Sequence, residues 1–176
     1  MWLGASLAKI MMATPHVIRL RGPWELEPLA RYVAGGGEVF REETRNLPPG
    51  GKVSVPGDWG ELLGRDFIGR ARYTRRFNRP TNLGPDERVW LALDGVDPQA
   101  DVALNGRPIG QANGYQTIAR FDITAALGEH NVLAVEVCMP ATSLNDEGCR
   151  PGRAGQPGGL IGEVRLEIGR SHPGVS

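Results

Sequence analysis

Residues 88–110, RVWLALDGVDPQADVALNGRPIG, predict two adjacent β-strands with a short break between them. In the first half, one face of the predicted strand is wholly apolar and carries Val89, Leu91 and Leu93. The other face carries Trp90, Ala92 and Asp94. After the break, Ala100, Val102 and Leu104 repeat the alternation. A period of two is typical of a strand that buries one face against a core.

Asn105 and Gly106 follow the second of these strands directly and predict a tight hairpin turn. An Asn-Gly pair after an alternating run is the strongest short hairpin signal, because both residues tolerate positive φ. We expect the chain to reverse here and to return as another strand.

The rest of the chain supplies further short strands, separated by glycine and proline. We predict an opening strand pair at 16–20 and 24–26, an exposed loop over 34–51, and strands within 67–80, 131–139 and 163–168. The strand at 131–139 is apolar on both faces, so we expect it to be central. Six residues are expected to share one inter-sheet core: Leu91, Leu93, Val102, Leu104, Val135 and Val137.

Composition favours one domain and excludes several classes of partner. The 176 residues suffice for a single core but not for an additional (β/α)8 barrel. Twenty basic and 20 acidic residues cancel, which gives no general attraction to nucleic acid or to an anionic membrane. The arginines of the strand within 67–80 are expected to form a solvated or salt-bridged face.

The first residues, MWLGASLAKIMMATPHV, lack a basic leader, and Lys9 interrupts their apolar run. We expect no signal peptide, no membrane span and a soluble protein, with a cytoplasmic location slightly favoured over secretion. The expected domain covers residues 16–170, between an unstructured extension at 1–15 and a tail at 171–176. Cys138 and Cys149 are expected to be free thiols rather than a disulfide, although pairing stays open.

Five motifs in order resemble the N-terminal sugar-binding domain of family 2 glycoside hydrolases, the β-galactosidase and β-glucuronidase family. They are VPGDW at 55–59, GRARYTRRF at 69–77, DGVD to LNG at 94–106, GYQTIARFDIT at 114–124 and GGLIGEVRL at 158–166. Arg72 stands where the family usually has tryptophan, and Asn113 stands in place of a glycine. The resemblance implies an all-β fold, a galactose-binding-like jelly-roll β-sandwich.

No catalytic or metal-binding motif is evident in the sequence. His16, His130 and His172 lie far apart without other ligands at metal-binding spacing, and no nucleophile elbow or P-loop is present. In the family, both catalytic glutamates lie on a separate barrel, which implies that this chain alone does not hydrolyse glycosides. We expect no cofactor; the resemblance leaves a structural calcium open, although no ligand set for it is evident.

The sequence leaves three functions open. The first is a non-catalytic carbohydrate-binding module. The second is a structural or accessory domain, or a fragment of a split family 2 glycosidase whose catalytic barrel is a partner on another chain. The third is an unrecognised hydrolase.

The resemblance also implies candidate sugar contacts at one loop end of the sandwich. Asn105 in the turn and Asp146 in the loop before the last strand are the expected polar contacts, with Trp59 or Tyr115 as a stacking platform. Two of these have a simpler explanation: Asn105 as the residue that an Asn-Gly turn requires, and Trp59 as part of the core. We expect Asn105→Ala to abolish sugar binding at little cost in stability.

Overall fold

A computed structural model describes residues 15–35, 40–139 and 156–170. The first strands are β1 (His16–Arg19), β2 (Trp24–Ala34), β3 (Phe40–Glu43), β4 (Gly51–Val53) and β5 (Gly57–Asp58). A short helix α1 (Gly60–Leu63) precedes β6 (Gly69–Asn78), β7 (Arg88–Leu93), β8 (Gln99–Leu104), β9 (Arg107–Asn113) and β10 (Ala119–Asp122). A 3-10 turn (Thr124–Ala126) leads to β11 (His130–Cys138), β12 (Gly159–Leu160) and β13 (Val164–Gly169).

These strands form two antiparallel sheets that face each other. The small sheet has the order β1-β13-β7-β10. The large sheet has the order β3-β2-β6-β11-β8-β9, with β4 also paired to β2, and β5 and β12 form a separate two-stranded pair. The predicted all-β sandwich of the galactose-binding-like jelly-roll type is confirmed.

The core lies between the two sheets. All six residues predicted for it are 1% exposed or less: Leu91, Leu93, Val102, Leu104, Val135 and Val137. Strand β11 lies between β6 and β8, as its apolar sequence predicted. The alternation in the sequence therefore identifies the buried face of each strand correctly.

The predicted hairpin turn is confirmed, but the two strands of residues 88–104 are adjacent only in sequence. Asn105 and Gly106 have φ angles of 52° and 77°, and the turn joins β8 to β9. Strand β7, however, belongs to the small sheet and β8 to the large one. The DGVD segment thus carries the chain across the sandwich.

Two expectations for the first third of the chain are wrong. Strand β1 pairs with β13 in the small sheet, whereas β2 pairs with β3, β4 and β6 in the large sheet, so β1 and β2 are not a pair. The segment expected to be a loop contains β3, because β2 extends to Ala34 and leaves an edge on which Phe40 to Glu43 pair. The strongly polar sequence of β3 concealed it from periodicity.

In the described parts of the chain, no helix has the length and apolar character that a membrane crossing requires.

Candidate ligand site

The side chain of Asn105 lies at the surface, and three hydrogen bonds tie it to the protein. Its amide nitrogen donates to the carbonyl oxygen of Ala126 (3.1 Å) and to Oδ1 of Asn131 (3.0 Å), and its Oδ1 accepts from the backbone N–H of Val132 (2.9 Å). Asn131 is itself only 1% exposed. Asn105 therefore fastens the hairpin turn to the start of β11 and to the 3-10 turn. A sugar contact by Asn105 stays a prediction. Both N–H groups of the amide are already used, so Oδ1, which accepts one bond and can accept a second, is the atom left for a sugar hydroxyl.

Trp59 lies in the core and has no exposed face. It is 0% exposed, and its ring packs edge-to-face on Phe67 with 5.5 Å between the ring centroids. Its indole N–H donates to the carbonyl oxygen of Phe67 at 3.3 Å. A stacking platform needs an open ring face, so the platform expected at Trp59 is corrected to core packing.

Tyr115 is half-buried and lies at the opposite end of the β8–β9 hairpin from Asn105. Gln99 pairs with Asn113 at the Tyr115 end, and Leu104 pairs with Arg107 at the Asn105 end. Five residue steps at about 3.3 Å each separate these ends by roughly 16 Å. The structure therefore does not bring Asn105 and Tyr115 into one site.

Asp146 lies outside the described residues, and its contact with sugar stays a prediction. Met139, the described residue nearest to it in sequence, follows Cys138, which pairs with Gln99 at the Tyr115 end of the sandwich. The expected site combined residues from the two ends, because the sequence shows which segments are turns but not at which end each turn lies.

The large sheet carries an open trough on its outer face, the face that points away from the core. One side of the trough is a row of polar side chains that crosses five neighbouring strands in register: Glu27, Arg72, Glu136, Asp101 and Gln111. Glu136 sits in the middle of the row, opposite Arg72 on one side and Asp101 on the other. Except at Arg72, none of these positions was singled out from the sequence.

The floor of the trough is a parallel row of short side chains: Thr74, Ala134, Ala103 and Pro108. Val132, 37% exposed, forms part of the lining beyond them. These side chains are short and the neighbouring polar side chains are long, so the surface is depressed here. The open depression has a volume of about 730 Å³. This volume lies within the range of small-ligand pockets, about 300–1,000 Å³.

A bulge in β9 shapes the far side of the trough. Val102 pairs with Gly110 but Ala103 pairs with Pro108, which leaves Ile109 as the additional residue. A bulge bends its strand and increases the local twist. Gly110 is required there, since a Cβ at this position would lie 2.4 Å from a ring carbon of Phe121.

Ion pairs hold the polar row in place. Arg70 contacts Glu136 (3.0 Å) and Glu42 (2.8 Å). Arg72 contacts Glu136 (3.4 Å) and Glu27 (3.8 Å). The prediction that the arginines of β6 form a salt-bridged face is confirmed, and they do not form a free basic patch for nucleic acid.

Comparison with models of protein families gives a match to this chain. Residues 66–159, more than half of the chain, match the family model described as the glycosyl hydrolase 2 galactose-binding domain-like family. The chain belongs to this family. The match contains both rows of the trough except for Glu27 on β2, and it confirms the resemblance stated from the motifs. A comparison with curated protein sequences gave no match.

Solved structures similar to this galactose-binding-like domain are larger proteins. A Bifidobacterium dentium β-glucuronidase in complex with coumarin-3-O-glucuronide is 25% identical with a TM-score of 0.66, over 90% of this chain and 30% of its own. A Faecalibacterium prausnitzii β-glucuronidase is 21% identical with a TM-score of 0.63, over 90% and 32%. A putative β-galactosidase from Bacteroides fragilis is 20% identical with a TM-score of 0.63, over 89% and 23%. This domain thus spans a third or less of each protein.

Cys138 lies at the Tyr115 end of the trough and is a free thiol, with its sulfur 3.9 Å from the hydroxyl of Tyr32. Burial raises the pKa of the Cys138 thiol, so the uncharged form is favoured at neutral pH. Cys149 lies outside the described residues. The described parts of this domain contain no group of three or more side chains suited to a metal ion.

Proposed function

We propose that this chain is a non-catalytic carbohydrate-binding module whose ligand lies in the trough of the large sheet. One observation carries the proposal: a row of hydrogen-bonding side chains lies beside a floor of short, mostly apolar side chains. The two rows border an open space of about 730 Å³. Membership of the galactose-binding-like family supports the ligand class.

The two rows match the two kinds of surface on a sugar ring. The C–H groups of a pyranose contact apolar atoms, which Ala103, Ala134 and Val132 provide. The hydroxyl groups need donors and acceptors at the edge of that contact, which Asp101 and Gln111 provide. An oligosaccharide lying across the strands would contact both rows over roughly 14 Å, the width of three strand spacings.

Glu136 and Asp101 are neighbouring carboxylates in the trough, but Glu136 is not suited to the acid role that glycoside hydrolysis needs. A retaining glycosidase uses one carboxylic acid to protonate the leaving oxygen and a second carboxylate about 5–5.5 Å away as nucleophile. Both carboxylate oxygens of Glu136 accept hydrogen bonds from arginines: Oε1 from Arg70 and Oε2 from Arg72. These positive charges favour the ionised carboxylate, so Glu136 is poorly placed to donate a proton. We therefore infer that the purified chain does not release nitrophenol from nitrophenyl β-galactoside or β-glucuronide.

The test is to fill the trough without touching the core. Ala134 lies in the middle of the floor with its side chain on the outer face, and Ala134→Arg places a long side chain where the ligand would lie. We expect the glycans that bind the wild type on an array to be lost, with binding in titration calorimetry weakened at least about tenfold, which corresponds to about 1.4 kcal/mol.

Ala125→Arg is the matched control, since it makes the same change at an exposed position of the 3-10 turn. Both variants should keep the far-UV circular dichroism spectrum of the wild type. Glycan binding that survives in folded Ala134→Arg would place the ligand elsewhere, and the Tyr115 end would be the next region to test.

A second function is an accessory domain of a family 2 glycosidase whose catalytic barrel is a separate polypeptide. The observation in its favour is the coverage, since the similar structures match this chain over only 23–32% of their own length. If it holds, adding this chain to a purified family 2 barrel encoded nearby should raise the activity or the melting temperature of the barrel. The binding-module proposal predicts no such effect.

A further inference from the structure

The charges around the trough are unequal. Of the side chains that line the trough, Glu136 and Asp101 are carboxylates and Arg72 is a guanidinium group. Two negative charges and one positive charge leave a local excess of one negative charge. The whole chain is neutral, with 20 acidic and 20 basic residues, so this excess belongs to the trough.

Arg72 in the lining and its neighbour Arg70 are already committed to carboxylates of the protein. Arg70 uses both terminal nitrogens, one on Glu136 and one on Glu42, and Arg72 bridges Glu136 and Glu27. A ligand carboxylate that took one of these guanidinium groups would leave a protein carboxylate without its counter-charge. These two arginines are therefore poor receptors for an acidic sugar.

Asp101 and Gln111 offer acceptors to the trough. Oδ1 of Asp101 accepts from the amide nitrogen of Gln111 at 2.8 Å, and no described residue bonds to Oδ2 of Asp101 or to Oε1 of Gln111. The two residues face each other across β8 and β9. Two neighbouring acceptors match two neighbouring hydroxyl donors of a sugar, whereas an ionised carboxylate supplies no donor and meets negative charge.

We propose that the trough selects sugars that carry no carboxylate and rejects uronic acids. It binds these sugars through pairs of vicinal hydroxyl groups. This inference rests on the proposed carbohydrate-binding function and adds the chemical class of the ligand. It separates this chain from the similar structure solved with a bound glucuronide, whose ligand carries a carboxylate.

The experiment compares ligands that differ at the carboxylate group. Tetragalacturonate and its methyl ester, and xylotetraose branched with glucuronic acid or with glucose, are titrated into the wild type at low salt. We expect each uncharged member to bind at least about tenfold more tightly than its acidic counterpart. The ratio should shrink as added salt screens the carboxylates.

Asp101→Asn removes one negative charge from the trough and keeps the shape of the side chain. It should narrow the ratio between uncharged and acidic ligands at least about threefold. Asp86→Asn, the same substitution at an exposed position between β6 and β7, should leave the ratio unchanged.

The outcomes separate this inference from the function on which it rests. If no member of either pair and no other glycan binds, the carbohydrate-binding proposal fails and the selectivity fails with it. If glycans bind but the acidic members bind as tightly as the uncharged ones, the selectivity alone is wrong. A ratio that Asp101→Asn and Asp86→Asn alter equally would also overturn it.

Discussion

The inner and outer faces of the large sheet consist of alternate residues of the same strands, yet one face is closed and the other open. On β11, Leu133 and Val135 point inward and are 0% exposed, whereas Val132 points outward and is 37% exposed. Glu136, also outward, is held in ion pairs. Alternation thus decides which face closes, while the side-chain lengths in each outer row decide whether a cavity forms.

The largest effect should come from the inner face. Leu133→Ala removes a fully buried side chain, and we expect it to lower the free energy of unfolding by about 2–5 kcal/mol because a cavity remains in the core. Val132→Ala, one residue earlier on the outer face, should cost less than about 1 kcal/mol. Urea denaturation of both variants measures the difference, and a larger loss in Val132→Ala than in Leu133→Ala would show that the orientation of β11 is inverted.

The next effect concerns the turn of Asn105 and Gly106 that joins β8 to β9. Asn105→Ala removes three hydrogen bonds. It also places alanine at φ 52°, a backbone conformation that alanine adopts less readily than asparagine. We expect a loss of about 1–3 kcal/mol, contrary to the small cost that the sequence suggested.

Asn105→Gly separates the two contributions to this loss. Glycine tolerates the positive φ but loses more conformational entropy on folding, so the loss that remains combines the hydrogen bonds with about 0.5–1 kcal/mol of backbone entropy. Chemical denaturation of both variants gives the division. Stability unchanged in Asn105→Ala would mean that its bonds to Ala126, Asn131 and Val132 are not formed in solution.

The smallest effect is a pH dependence at the 3-10 turn that accepts a hydrogen bond from Asn105. Burial disfavours the charged form of Asp122, but hydrogen bonds from Thr124 and the guanidinium of Arg88 outweigh it and hold the pKa of Asp122 below its usual value. A lowered pKa stabilises the fold above the unfolded pKa of about 4, and this contribution disappears as the pH falls through the folded value.

Asp122→Asn should therefore cost up to about 1 kcal/mol at pH 7 and almost nothing near pH 2. Thermal unfolding across this pH range measures the difference between the variant and the wild type. A difference that is constant with pH would assign the effect to geometry rather than to charge.

Much of the sandwich was predictable because its signals are local. The alternation at Leu91, Leu93, Val102 and Leu104 and the Asn-Gly pair each lie within a few residues, and strand and turn preferences act over that distance. The family motifs added the jelly-roll fold. By contrast, β3 was missed because Phe40 to Glu43 form a strand only through the edge of β2.

The candidate site depended on long-range packing. The order of residues along β11 is enough to place Val132, Ala134 and Glu136 on one face of a strand, since side chains alternate with a period of two. Folding alone brings Glu136 beside Asp101 and Arg72, bonds Asn105 to Asn131, and encloses Trp59. These contacts join residues far apart in sequence, and strand order and register, which arise from packing of the whole core, determine which of them meet.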